Sequence, residues 1–180
     1  MNAKYIAGAR KFAWIKLKRS YKGELSDSID AVIIGYFKGK GHRTQFGLGT
    51  LLVGVYNDEN DSFESIAKIG TGMSEAQLEN LEKILSKIKK SAKPARVVSE
   101  MEPDVWVEPQ YVIEVRADEI TKSPTHSCAK EKTGEGLALR FPRMISIRED
   151  KKPEEATTTR EIIEMFKMQK RTQLENPEFE

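Results

Sequence analysis

The stretch Leu137-Ala-Leu-Arg-Phe-Pro-Arg-Met-Ile-Ser-Ile-Arg-Glu-Asp-Lys151 decides the fold. Leu137, Leu139, Phe141, Ile145 and Ile147 fall on one side of a period-two ribbon, with Arg140, Ser146 and Arg148 on the other, as a half-buried strand requires. Pro142 has no N–H to give a ladder and belongs at an edge or a bulge. Arg143 sits in the apolar phase, where a guanidinium is costly unless paired. The corner admits two explanations. Either a bulge resets the phase, or Arg140 and Arg143 flank a rigid Phe-Pro corner so that both fork onto phosphate oxygens.

Upstream, residues 105–107 and 111–116 read as one strand broken at Pro109, and residues 120–135 as a polar connection into the quoted stretch. Residues 31–37 and 48–56 read as a hairpin, and residues 62–71 as a third strand returning through Phe63, Ile66 and Ile69. Ser74 with Gln77 is a capping box. Leu78, Leu81, Leu85 and Ile88 then repeat at helical spacing, with Lys87, Lys89 and Lys90 at the C-terminal dipole. Downstream, Thr158 and Glu161 cap a last helix. Three strands, a helix and two more strands give a mainly β chain, a five-stranded OB-fold barrel with the helix between strands three and four and a second helix at the C-terminus. The expected division is 1–25 (a last strand and hinge), 26–155 (the barrel) and 156–180 (helix and tail).

At 180 residues the chain is one domain of ordinary size plus appendages. Its longest apolar run, near residues 29–37, is far short of a bilayer span, and residues 1–10 lack the hydrophobic stretch of a signal peptide. The expectation is no membrane and a cytoplasmic, or nuclear, location. One cysteine and two histidines leave little material for a protein-built zinc site, so no metal ligands are expected.

Net charge is +2, yet residues 1–23 carry Lys4, Arg10, Lys11, Lys16, Lys18, Arg19 and Lys22 and no acid. Ile15 and Leu17 alternate with Lys16 and Lys18, which gives a strand presenting two amines side by side. The loop Lys38-Gly-Lys-Gly-His-Arg43 is not a phosphate-binding P-loop, because no Gly-Lys-Ser/Thr follows and no helix opens after it. Lys38, Lys40 and Arg43 on flexible glycines can follow a nucleic-acid backbone; they can equally be a soluble turn.

Together these motifs resemble the C-terminal part of an ATP-dependent DNA ligase of the archaeal and eukaryotic type, over nearly the whole chain. The residues that carry the resemblance are Tyr5-x-x-Gly8-x-Arg10 with Trp14-Ile-Lys-Leu-Lys18, Asp30-Ala-Val-Ile-Ile-Gly-Tyr-Phe-Lys-Gly-Lys-Gly41, Lys68-Ile-Gly-Thr-Gly72 and residues 119–128. Most specific is Leu139-Arg-Phe-Pro-Arg143 with Arg148-Glu-Asp-Lys151 and Ala156-Thr-Thr158. The family implies that Lys16 and Lys18 contact the adenylate phosphate. It implies that Arg140, Arg143 and Lys151 close over ATP and orient pyrophosphate as the leaving group, a job of positioning and electrostatics. It further implies a hinge near residues 22–27, another barrel face turned to nicked duplex DNA, and ATP with Mg2+ in the complete enzyme. Lys38, Lys40, Arg43 and Lys68 are the DNA-side candidates. The implied partners are nicked double-stranded DNA, a nucleotidyltransferase domain, and a sliding clamp reached through the complete enzyme.

Ser20 stands where the family has Asp, and His42 where it usually has a basic residue. The chain contains no Lys-x-Asp-Gly, whose lysine attacks ATP. The expectation is a segment that does not adenylylate itself or ligate alone. A free-standing OB module gripping single-stranded DNA is the alternative, and a capping-type or RNA-ligase-type relative is a weaker one.

Overall fold

The computed structural model describes residues 28–41, 45 and 47–175, with 171–175 as backbone only. Strands β1 (Ile29–Phe37), β2 (Thr50–Asn57) and β3 (Ser62–Ile69) form an antiparallel meander. Helix α1 (Glu75–Leu85) follows, then short strands β4 (Lys89–Lys90), β5 (Val97–Val98) and β6 (Val105–Val107). The chain continues through β7 (Val112–Arg116), β8 (Glu119–Ser123), the short helix α2 (Lys130–Thr133), β9 (Gly136–Arg140), β10 (Arg143–Arg148) and helix α3 (Thr159–Glu175).

The main sheet runs β10-β7-β1-β2-β3, and β8 pairs with β9 in a separate ribbon. The sheet curls, and hydrogen bonds outside the ladders join its far edge to β9. Ser65 O on β3 accepts from Ser127 N (3.2 Å) and Cys128 N (3.0 Å), and Cys128 O accepts from Leu137 N (2.8 Å). Residues 136–148 therefore touch the β3 side with their first half and β7 with their second.

Strands β1 and β2 read as continuous apolar runs because both of their faces are covered. Ile29, Ala31, Ile33 and Tyr36 face the barrel interior with Leu51, Val53, Ile66, Ile113 and Val115. Val32, Ile34, Leu52, Phe63 and Val112 face outward, where Val97, Trp106 and Ala156 cover them. Each buried Val, Leu, Ile or Phe among them contributes roughly 1.5–3 kcal/mol. Helix α1 carries the capping box, Gln77 N donating to Ser74 Oγ and Ser74 N to Gln77 Oε1. It sets Leu78, Leu81 and Leu85 into the interior. Thr158 and Glu161 cap α3 in the same way, and Ile162 docks it on the core.

Three expectations need correction. The quoted stretch is two strands meeting at a corner, and its apolar phase changes there: Phe141 (63% exposed) and Ile145 (44%) face solvent while Met144 is buried. Residues 120–135 are not a bare polar connection. They hold β8 and α2, and His126, Ser127, Cys128 and Ala129 are buried because they bridge β3 to β9. Lys89 and Lys90 lie beyond α1, in a strand paired with β6. Among the described residues no helix is long and apolar enough to cross a membrane.

Candidate functional site

Strand β7 and the turn after it alternate strictly. Ile113, Val115 and Ala117 point into the core, which leaves Glu114, Arg116 and Asp118 on the outer face. Residues directly opposite in an antiparallel ladder share a face. The pairs Arg143↔Arg116, Ser146↔Glu114 and Asp30↔Glu114 therefore gather Asp30, Glu114, Arg116, Asp118, Arg143 and Ser146 on one charged surface, with Arg148 and Lys151 at its end.

That surface has two stations. At the first, Phe141 takes a left-handed conformation (φ 55°) so that the chain can turn from β9 into β10. Thr71 buttresses the turn, its Oγ1 donating to Pro142 O (3.0 Å) and its carbonyl accepting from Met144 N (3.1 Å). Gly72 (φ 88°) lies so close that an added Cβ would run into Met144 O and come within 2.8 Å of Met144 N. Arg143 Nη1 lies 3.4 Å from Asp118 Oδ1 and 3.3 Å from Phe141 O. Arg140 Nη1 lies 3.4 Å from Glu119 Oε2, with its guanidinium over the Phe141 ring at 5.1 Å. These pairs are long, single-pronged and partly solvated, worth about 0–1 kcal/mol each. Among the described residues most of the guanidinium donors at the corner remain open.

The second station is tighter. Lys151 Nζ lies 2.7 Å and Arg148 Nη1 3.3 Å from the two oxygens of Asp30, whose side chain is 14% exposed. Arg148 also forks onto Asp150 at 3.2 and 3.1 Å. Asp150 first, then Asp30, holds the Arg148 guanidinium above its ordinary pKa, and the Arg148 hydrogen bond holds Asp150 below the usual carboxylate range. Asp30 itself is fixed by Thr157, which accepts from Asp30 N through Oγ1 (2.9 Å) and donates its N–H to Asp30 O (2.9 Å).

Arg140, Arg143 and Lys151 are thus on one strand and its flanks, but not at one point. From Arg143 to Arg148 is five residues of β10, about 17 Å of backbone at the usual strand rise. Lys68 lies three residues before Thr71 on β3, at most about 11 Å of chain from the corner. Its ammonium sits 4.3 Å from the Phe37 ring centroid. Lys38 and Lys40 follow β1, and Lys38 N donates to Asp104 Oδ2 (2.8 Å). Among the described residues the amines of Lys38, Lys40 and Lys68 have no carboxylate partner. Lys16, Lys18, Arg43 and the expected hinge lie outside the described residues.

Sequence reasoning left Arg116, Arg148 and Asp30 out of the candidate set. Signals were present: Asp30 and Arg148 stand in the quoted family motifs, and Glu114, Arg116 and Asp118 recur at period two beside buried Ile113, Val115 and Ala117. Which residues of β1 and β10 they would meet depended on register, which spacing within one strand does not give.

A buried polar seam supports the barrel closure behind the corner. Glu64 (5% exposed) accepts from Ala129 N, Thr159 Oγ1 and Asn57 Nδ2 at 2.9–3.0 Å. His126 lies beside Ser65, with burial first and Lys68 second lowering its pKa to about 4. Burial, with Glu64 nearby, raises the Cys128 thiol well above its ordinary value.

A family model described as ATP dependent DNA ligase C terminal region matches residues 44–151. A probable DNA ligase of Dictyoglomus turgidum is 57% identical over 176 residues, covering 97% of this chain and 30% of that protein. A DNA ligase of Saccharolobus solfataricus is 49% identical over 178 residues, covering 98% and 30%. Among solved structures, the ligase domain from M. tuberculosis LigD superposes with a TM-score of 0.55 at 28% identity, covering 73% of this chain and 38% of that one. Mycobacterial DNA ligase D complexed with ATP and MES gives 0.51 at 27% identity, with the same coverage. The chain spans about 30% of the length of the curated relatives it matches.

Proposed function

The chain belongs to the C-terminal region family of ATP-dependent DNA ligases, and from that premise we propose that its charged outer face closes over ATP during enzyme adenylylation. The observation that carries this reading is the gathering of Arg143, Arg148 and Lys151 on one face, with Arg140 at the adjoining corner. Cations fixed where charge develops on a leaving pyrophosphate are what a phosphoryl-type transfer requires of a protein. Arg140 and Arg143 orient the pyrophosphate from the exposed corner, and Lys151 acts from the second station. Lys16 and Lys18 contact the adenylate phosphate. The attacking lysine belongs to a nucleotidyltransferase domain, since no Lys-x-Asp-Gly occurs in this sequence, and the chain is not active alone. Mg2+ accompanies ATP in the complete enzyme, and no residue of this chain is assigned to it.

After adenylylation the barrel (26–155) swings on a hinge near residues 22–27, with 156–180 as helix and tail. It then turns Lys38, Lys40, Arg43 and Lys68 to nicked duplex DNA. Among the described residues the amines of Lys38, Lys40 and Lys68 have no carboxylate partner, which suits contact with a phosphate backbone. A sliding clamp is reached through the complete enzyme, and the location is cytoplasmic, or nuclear in a eukaryote.

Fluorescence anisotropy at fixed salt tests the DNA half of this reading. Nicked duplex should bind more tightly than single strand of equal length, and each of Lys38→Gln, Lys40→Gln and Lys68→Gln should lower the log–log salt slope by about 1. Preference for single strand, with binding unmoved by these substitutions, would favour a free-standing single-strand module instead.

A further inference from the structure

Arg116 and Arg143 are directly opposed on β7 and β10 and leave the sheet on the same face. Like charges opposed in this way repel, since the Cβ atoms of such a pair are only about 4.5–5.5 Å apart. Asp118, two residues along from Arg116 and therefore on the same face, relieves part of the repulsion by meeting Arg143 at 3.4 Å. The Arg116 side chain is exposed and has no hydrogen bond or ion pair among the described residues. Two guanidinium forks and one loosely held carboxylate form an arrangement that a doubly charged anion completes, because it can bridge both arginines while Asp118 turns to water.

We infer that Arg116 is a further phosphate-binding residue of this face, forming with Arg143 a two-arginine clamp in which Asp118 holds the anion's place until phosphate arrives. The inference rests on the reading of the face as the surface that closes on pyrophosphate. It adds a ligand which none of the sequence motifs contains. It also gives the Asp118 carboxylate a role opposite to that of a metal ligand, since its departure is what opens the clamp.

Calorimetric titration of the full chain with inorganic pyrophosphate, at low salt and without divalent cations, tests this. Arg116→Gln should weaken binding about tenfold, Arg116→Lys by about threefold because the charge stays and the fork is lost, and Asp118→Asn should strengthen it about threefold. Arg116→Gln and Arg143→Gln should be strongly non-additive, because each alone breaks the same bridge. All three positions are partly or fully exposed, so circular dichroism should stay unchanged; Arg116→Lys serves as the conservative control. If Arg143→Gln weakens binding while Arg116→Gln leaves it unchanged, the clamp is refuted and the pyrophosphate face stands. If neither substitution matters, the face does not bind pyrophosphate and both readings fall. Weaker binding in Asp118→Asn would overturn the placeholder role.

Discussion

Lys151 Nζ lies 2.7 Å from Asp30 Oδ2, across 121 positions of sequence, tying the turn after the last strand to the start of the first. Asp30 also receives Arg148 and is bonded through its backbone to Thr157, ahead of α3. One residue therefore fixes two of the face's cations through its carboxylate and the turn that launches the C-terminal helix through its backbone.

Because Asp30 is mostly buried, replacing it with Asn leaves two half-buried cations short of an anion and should destabilise the chain by about 2 kcal/mol. Urea unfolding should show a lower midpoint with an unchanged slope. In a Lys151→Met background the same substitution should do less damage. Strict additivity of the two would mean that the ion pair carries no stability.

The corner depends on Gly72, whose left-handed backbone lies against Met144. Gly72→Ala combines a positive φ with a collision against backbone that cannot rotate away, and should cost about 3 kcal/mol. The loss should be accompanied by weaker pyrophosphate binding, since Arg143 immediately precedes the displaced residue. Unfolding and titration on the same preparation check both effects.

His126 predicts a pH dependence. Burial lowers its pKa from 6.5 to about 4 in the fold, so the unfolded chain binds a proton first as pH falls. Stability attached to the neutral ring is complete above pH 6.5 and drains away toward pH 4. Between pH 7 and 5 the loss should be about 2 kcal/mol. Asp61, Asp150 and Glu154, whose pKa values are lowered mainly by hydrogen bonds from Tyr56, Arg148 and Arg96, act in a more acidic window. His126→Gln should flatten the profile from pH 7 to 5; an unchanged profile would exclude His126 as its source.

The order of strands and helices was legible because β1, β2, β3 and α1 carry strong apolar patterns and capping boxes open α1 and α3. Strand β8 was not, because Ile120 is its one large apolar side chain and its pairing with β9 is non-local. Phe141 and Ile145 were misassigned for a different reason: a period-two count passes straight through a corner whose left-handed residue is not glycine. For the site, Arg140, Arg143 and Lys151 were found through family motifs. Their division into two stations, and the opposition of Arg116 to Arg143, follow from register, which only the folded sheet fixes.

The most direct measurement mixes this chain with a separate nucleotidyltransferase domain carrying Lys-x-Asp-Gly and follows transfer of labelled adenylate from ATP to that domain. The predicted result is slow adenylylation by the domain alone, a gain when the chain is added, and loss of that gain with Arg143→Gln or Lys151→Gln. No gain from the intact chain, at concentrations where the two are seen to associate, would contradict a face that closes over ATP.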